Sequence, residues 1–572
     1  MKFFLINITF LFVLNVFSQS APITINGEFN DWNSELVTST DVVETLTGID
    51  LLETQITNDN NYLYIRIKTN NELSLTSDLI DHDLRLFIDT DNDENTGFSI
   101  QPGFGSELGI LFKERFAYLN INGGSQTINF ENFGLRPSPT ITSNEFEIAI
   151  DRNAIPNGVD NLFGNNTIRL FWQNDANGDR LPNTGNFVYY TFDETPVSQY
   201  IPVEINKEQS EFIRVCSYNT LFNGLGDADR LPHFEKIVKA INPDIITFQE
   251  NSTSYIEIKN FMDTWLPLGT ENGWYVYYGI ASKWEITNTW TNFTNESPPN
   301  YRQTAALVDL PESYNTNLLF VSAHLSFGPY NAERQQQVNG WNNFLNDAKT
   351  IGGNIDLPEN TPIVYLGDLN LVGYSQQLTS LITGIDENGN GNAPDWDNSD
   401  LENTIALQAD IPMYYSWKDD NEGNGFPPGK LDYILYTGSV MSEQKSFVLQ
   451  TETMSNDRLA LYNLDANDTS IASDHFPIIA DFNIETSLNT KNKQFNNINI
   501  YPNPASKVLN INIKNLDYSK LEIIDVYGKC VLKNKIDKTN ITINIDKIKA
   551  GIYFVKISSN SNNQIIKKLI IK

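Results

Sequence analysis

Four histidines occur in this 572-residue chain, and two of them stand beside short apolar runs: Ser-Ala-His324-Leu and Ser-Asp474-His475-Phe-Pro. Between these lie Gly367-Asp368-Leu369-Asn370, which follows the apolar run from Ile363 to Leu366, and Lys430-Leu431-Asp432-Tyr433-Ile434. Upstream, Ser217-Tyr218-Asn219 and Phe248-Gln249-Glu250 each end an apolar run in the same way. Such residue types suit hydrolysis of a phosphoester. A phosphodiester is protected by its own negative charge, so its cleavage needs a cation on the phosphoryl oxygens, a base for water and an acid or second cation for the leaving oxygen. Carboxylates supply oxygen ligands for a hard cation, and imidazole moves protons near neutral pH.

Each piece also has a plainer reading. Glu250 alone is a strand terminus, and Gly-Asp-Leu-Asn alone makes a turn. Asp368 and Asn370, two residues apart after a buried strand, share one face and pair a carboxylate with an amide that can donate to phosphate. Asp474 and His475 are adjacent and point apart, which gives them different roles. Asp432 is a candidate to accept the second N–H of His475, the arrangement that makes imidazole a competent base.

The elements that must position these residues alternate in type. Strand-like runs at 212–217, 245–248, 318–323, 363–366, 433–436 and 478–482 are interleaved with helical stretches at 232–241 and 333–348. Leu231, Phe234, Ile237, Val238 and Ile241 fall on one helical face, and Asn242-Pro243 ends that helix. Strands alternating with helices over 211–485 predict one α/β domain with covered sheets.

Over this region the chain resembles the endonuclease/exonuclease/phosphatase superfamily, the fold of deoxyribonuclease I. The motifs that carry the resemblance are Asn219, the Gln-Glu at Glu250, Arg302 in Tyr-Arg-Gln-Thr-Ala, His324, Asp368 with Asn370, the Asp-Tyr-Ile at Asp432, and Asp474-His475. It implies an α/β four-layer sandwich and a divalent metal, Mg2+ or Mn2+, on Glu250 with Asp474 as a further ligand or neighbour. It also implies His475 as general base held by Asp432, and His324 as general acid or phosphate binder. Asn219, Asn370 and Arg302 are implied as phosphate contacts, with Asp368 orienting the nucleophile. No partner carboxylate for His324 is evident near Gly279-Ile-Ala-Ser-Lys283. An acidic insertion, Asp386 to Asp400, lies between Asn370 and Asp432 and is expected near the mouth of the site, as a calcium or substrate-selecting loop or as an ordinary loop.

Flanking regions read differently. Residues 23–200 alternate apolar and polar positions in short runs separated by turn residues, which predicts a β-sandwich. Ile25-Asn-Gly-Glu-Phe-Asn-Asp-Trp32 and Phe87-Ile-Asp89-Thr-Asp91-Asn-Asp93 together resemble the family 9 carbohydrate-binding-module-like sandwich. That likeness implies Ca2+ at Asp89, Asp91 and Asp93 and a polysaccharide partner. A weaker cation candidate is Asp175-Ala-Asn177-Gly-Asp179, and either turn also reads as solvated acid. After a polar linker at 486–497, the strand-length alternations and turns of residues 498–572 predict a small β-sandwich, and the region resembles a type IX secretion sorting domain, whose partner is the translocon. Lys2 and the apolar run from Phe3 to Phe17 make 1–18 a secretory signal peptide. No later run is long enough for a transmembrane segment.

The formal charge is −32. From Phe495 onward thirteen lysines face five acids, so the rest of the chain is more acidic than the total. An acidic body repels polyanions at long range and argues against salt-driven nucleic-acid binding, although a metal reverses the sign locally. The chain therefore reads as a multidomain, secreted or cell-surface, metal-dependent phosphoester hydrolase, foremost a nuclease or phosphodiesterase. A sphingomyelinase-like enzyme or small-molecule phosphatase is the nearest alternative. A surface carbohydrate-binding protein with an inactive hydrolase domain is the alternative of another class.

Overall fold

The computed structural model of the chain describes residues 23–484 and 498–572, apart from 34–35, 44–46, 195–198, 292, 294–301, 354, 420–424, 514–517, 526–528, 537 and 560–563. The expected signal peptide (1–18) and linker (486–497) lie outside the described residues. Contacts divide the chain into two units, 1–485 and 486–572. In the second, a three-stranded and a four-stranded antiparallel sheet enclose Leu509, Ile511, Leu521, Ile523, Val555 and Leu569.

The first unit contains two architectures. Between Val37 and Thr191 two antiparallel sheets, of five and seven strands, share one apolar core. Alternation makes this core: Ile56, Ile65 and Ile148 come from one sheet, and Leu86, Ile110 and Leu170 from the other.

Beyond it, two six-stranded sheets pack against each other. One is built around Ile213–Asn219, which runs parallel to Ile245–Gln249 and antiparallel to Ile478–Ile484. The other is built around Leu318–His324, parallel to Ile363–Asp368, which pairs antiparallel with Asp432–Tyr436. Strand alternation sorts side chains into layers. Val215, Ile245, Phe320, Val364 and Ile434 meet in the core between the sheets. Cys216, Ile246 and Phe248 face Phe234, Ile237, Ile241 and Met262 of helices Leu231–Ile241 and Tyr255–Trp265. Val321 and Tyr365 face Val338, Trp341 and Leu345 of helix Asn331–Ala348. Helices, sheet, sheet and helices thus follow in order.

The two architectures are joined by a continuous core rather than a linker. Ile23, Ile25, Trp32, Tyr64 and Ala149 of the sandwich region pack with Met413, Tyr415 and Phe476. Ile25 exchanges backbone hydrogen bonds with Pro412 and Tyr414 at 2.8 and 3.0 Å. The buried Glu147 carboxylate accepts from the backbone N–H groups of Asn26 (2.5 Å) and Gly27 (2.7 Å) and from the Trp32 indole (3.0 Å). The phrase that suggested a carbohydrate module therefore forms a clasp.

The acidic insertion lies elsewhere than expected. Trp396 donates to the Thr361 carbonyl, ahead of strand Ile363–Asp368, and Asp395 binds Ser439, beyond strand Asp432–Tyr436. These are the strand ends opposite Asp368 and Asp432, because the two strands are antiparallel and extended. The insertion borders the far end of the sheet and not the mouth of the site.

Candidate active site

Strand register brings the polar residues to one end of both sheets. His324 lies opposite Asp368, and Asp368 opposite Asp432, across neighbouring strands. Asn219 lies opposite Gln249, with Glu250 next along the chain. The inner strands from the two sheets face each other, and Thr247 and Ser322 hydroxyls meet at 2.5 Å between them. Local backbone geometry is demanding here. Glu250 and Asn370 both take left-handed φ of +49°, turning the chain out of its strand. Gly367 has φ +151°, and a Cβ there would sit 1.8 Å from the Ala323 carbonyl oxygen, so only glycine permits the close approach of the His324 strand.

His475 and Asp432 form the centre of the arrangement. His475 Nδ1 is 2.8 Å from Asp432 Oδ2, and its Nε2 lies 3.6 Å from Asp368 Oδ2. Asp368 Oδ2 accepts from the side-chain amides of Asn219 (2.9 Å) and Asn370 (3.0 Å). His324 Nε2 stands 3.6 Å from Asp368 Oδ2 and 3.7 Å from Glu250 Oε1, while Asn219 also donates to Glu250 Oε1 at 3.2 Å. The other Glu250 oxygen accepts the Phe222 N–H at 2.9 Å. Glu250, His324 and Asp368 each offer a ligand atom within 4.8 Å of the others, and so do Asp368, Asp432 and His475.

Burial and neighbouring charges compete to set the protonation of these groups. It lowers the His475 pKa, but the nearby Asp432 and Asp368 carboxylates outweigh it and bring the imidazole up to about 10. Burial pushes the Asp368 carboxyl up to about 7, against the pull of His475. His324 is depressed to about 4, first by burial and then by the Arg302 charge, with Glu250 opposing. Burial would raise Glu250, yet the Phe222 N–H, the Asn219 amide and the two imidazoles hold it below the usual carboxylate range.

The remaining expected residues sit at the edge of this cluster. Arg302 accepts the His324 N–H through its carbonyl at 2.8 Å, and its charge acts on that ring. Asp474 points away from its neighbour and receives the Trp417 indole N–H at 2.9 Å; it is in neither ligand group. The carboxylates nearest His324, for which the sequence offered no partner, are Asp368 and Glu250, at 3.6 and 3.7 Å. Two residues went unnoticed. Ser416 donates to Asp432 Oδ2 at 2.8 Å, and Trp417 holds Asp474. Their signal, a lone Ser-Trp after paired tyrosines, has no spacing that marks it.

In the sandwich the acidic turn differs from its expected ligand set. Asp93 is exposed, and its carboxylate accepts from Asn95 at 2.9 and 2.8 Å, closing a local turn. Glu107, from across the turn, joins Asp89 and Asp91 instead. The Asp175–Asp179 turn does not converge: Asp175 pairs with Arg85 at 2.7 Å, and Asp179 accepts the Leu51 N–H at 2.6 Å.

Comparison with known proteins gives three findings. Zebrafish TDP2, solved with a single-stranded DNA product, is 15% identical and aligns over 48% of this chain and 100% of that one, with a TM-score of 0.31. Sphingomyelinase C from Streptomyces griseocarneus is 16% identical over 48% of this chain and 99% of that one, with a TM-score of 0.28. Among curated proteins, an endo-acting ulvan lyase of Formosa agariphila is 34% identical and an ulvan lyase of Nonlabens ulvanivorans 29% identical, over 13% and 16% of this chain. The chain spans only 15% and 17% of the length of those two relatives. The described helices include none long and apolar enough to cross a membrane. Residues 499–572 match the secretion system C-terminal sorting domain family, which marks the chain as a type IX-secreted protein, released or held at the cell surface.

Proposed function

We propose that the first unit is a divalent-metal-dependent phosphoester hydrolase acting outside the cell, foremost on phosphodiesters of nucleic acids or nucleotides. The observation that carries this reading is the buried Asp432–His475–Asp368 chain, at 2.8 and 3.6 Å, beside the partly exposed Glu250–His324 pair.

The donor set fits a hard cation: Glu250 is ionised and half-exposed, and its oxygens lie beside Asp368. Glu250 would hold Mg2+ or Mn2+, with Asp474 as a neighbour, and a bound cation supplies charge on the phosphoryl oxygens. The chain's own residues supply the rest. Asp432 fixes the Nδ1–H tautomer of His475, so that Nε2 faces the nucleophile. Asp368, held by two amides, orients the attacking water; once His475, held up to about 10 by its carboxylates, has lost its own proton, Nε2 takes the water's proton as the water oxygen bonds to phosphorus. The ester P–O bond breaks, and the leaving oxygen takes a proton from solvent water while His475 returns its own to solvent. His324, with its low pKa, is neutral at pH 7 and serves as an N–H donor to a phosphoryl oxygen rather than as the acid. Arg302 supplies a further positive charge there.

The net charge of −32 favours a second substrate class, a phospholipid headgroup or small phosphoester, for which no cationic track is needed. The test is hydrolysis of bis-nitrophenyl phosphate with and without EDTA, followed by profiling on DNA, RNA, sphingomyelin and phosphomonoesters. EDTA should abolish turnover and Mg2+ or Mn2+ restore it. Turnover indifferent to chelation, or none with any metal, defeats the proposal.

A further inference from the structure

We propose that two arginine-clamped loops present an aromatic rim, Phe222 on one and Phe327 with Tyr330 on the other, which selects phosphodiesters whose ester arms carry nucleobases, a selection that rests on the phosphoesterase reading and narrows it. The loops leave the strands that end in Asn219 and His324, one from each of the two facing sheets. Phe222 borders the site through its own backbone, since its N–H donates to Glu250 at 2.9 Å. Phe327 follows His324 by three residues, a span of roughly 11 Å at most. All three side chains are nevertheless open to solvent, Phe222 at 85%, Phe327 at 60% and Tyr330 at 48% exposure. Single apolar side chains are ordinary at a surface. These differ in how firmly they are held there.

Each loop is fastened by a guanidinium. Arg334, buried at 0% exposure, donates to the Ser326 and Gly328 carbonyls at 2.7 and 2.8 Å and to Asn331 Oδ1 at 2.7 Å. Arg230 donates to the Thr220 and Leu221 carbonyls at 2.7 and 2.8 Å, and at 3.0 Å to that of Ala472, next to Ser473-Asp474-His475. Every one of these acceptors is a neutral oxygen, so both charges hold chain in place. Phe222 is the middle one of three successive left-handed residues, Leu221, Phe222 and Asn223, with φ +44°, +48° and +64°. Such backbone is unfavourable for a bulky side chain, and a ring left in solvent gains no burial to offset it. On the other loop the Phe327 and Tyr330 rings meet edge to face, centroids 5.8 Å apart. An exposed aromatic on a fixed loop is ready to bind, because little freedom remains to be lost.

The arrangement fits a base on either side of a phosphate. The rim comes from both sheets with the site between them, and the two nucleosides of a phosphodiester likewise flank its phosphorus. A phospholipid carries its apolar part on one side alone. Stacking tolerates any base and needs no cationic track, which suits a chain of net charge −32 whose two clamping arginines are engaged by loop oxygens.

The experiment uses the full chain with Mg2+ or Mn2+ and two esters that share a nitrophenolate leaving group, thymidine nitrophenyl phosphate and methyl nitrophenyl phosphate. The expected result is a kcat/KM at least about fivefold higher for the thymidine ester, the lower end of what stacking one base supplies. Phe222→Ala combined with Phe327→Ala should erase that preference, chiefly through KM, whereas Phe327→Trp, which keeps a ring, should retain it. Equal rates on the two esters in the native chain overturn the rim and leave the hydrolase standing, as does a preference undiminished in the double variant. Turnover of sphingomyelin vesicles that exceeds that of the thymidine ester and is lost in the double variant overturns it in favour of a lipid surface. If the double variant fails to fold, the two single changes decide instead: a preference lost in either supports the rim, and one kept in both overturns it. No turnover of either ester with any metal defeats the phosphoesterase reading, and the rim as a means of selection with it.

Discussion

At the scale of single residues, the proposed chemistry rests on His475, and His475 rests on Asp432, 2.8 Å away. The imidazole is raised to about 10 because two carboxylates outweigh the opposing effect of burial. A base must be neutral to act, so activity should climb with pH through the titration of His475, and positive charge brought among those acids shifts that limb downward. Asp432→Asn removes one of the raising charges. The acid limb of the kcat profile should therefore move to lower pH, while kcat falls about 10²- to 10⁴-fold; a limb that stays in place would assign the titration to another group. His475→Ala should cost at least as much with the fold intact, checked by an unchanged Tm within a few degrees. Gly367→Ala is a different kind of change: its methyl meets the Ala323 carbonyl in the middle of a buried sheet, and loss of soluble protein is the expected outcome.

At the scale of elements, what could be read in advance was whatever repeats along the chain. Apolar runs of strand length that end at or just before Asn219, Glu250, His324 and Asp368 place those side chains at strand ends, whereas Asn370 reaches Asp368 at 3.0 Å through a left-handed turn rather than through the two-residue strand period. Contacts between distant segments leave no such trace. Nothing local marks Trp417 as the partner of Asp474, or Glu107 as the residue that replaces Asp93 beside Asp89. The insertion at 386–400 was misplaced for the same reason, since sequence order between Asn370 and Asp432 does not say at which end of an antiparallel pair a loop emerges. The sandwich's grip on the catalytic segment was equally hidden. Thr140 Oγ1 accepts the Lys430 N–H at 2.9 Å, Thr142 donates its N–H to the Gly373 carbonyl at 2.9 Å, and Lys418 pairs with Glu131 at 3.3 Å. Lys418 and Lys430, in the described segments that carry Ser416, Trp417 and Asp432, are thus tied to the sandwich side. Glu147→Ala would strand three N–H donors in the clasp that joins the two architectures, costing about 3 kcal/mol at roughly 1 kcal/mol per lost bond. Limited proteolysis should then cut nearer residue 25 and kcat should drop, although Glu147 touches no reacting atom.

At the scale of the whole molecule, charge and division into units make two further tests. The second unit has its own core, and the matched sorting domain lies entirely within it. A chain ending at Glu485 should therefore keep kcat/KM on bis-nitrophenyl phosphate within about twofold, the range of a surface change far from chemistry. Removing that lysine-rich unit also strips away positive charge, leaving a body more acidic than the −32 of the full chain. Nucleases that grip a long polyanion with Lys and Arg lose affinity steeply as salt rises. Here the dominant long-range term is repulsion, and salt screens it over a Debye length of about 10 Å at 0.1 M. Raising salt from about 50 to about 200 mM should hence leave kcat/KM on a single-stranded oligonucleotide unchanged or higher, the opposite sign to a cationic-groove enzyme. Turnover of bis-nitrophenyl phosphate, with one charge and no length, should barely respond. A steep fall for the oligonucleotide alone would mean that a cationic path reaches the Glu250–His475 corner despite the acidity of the surrounding surface.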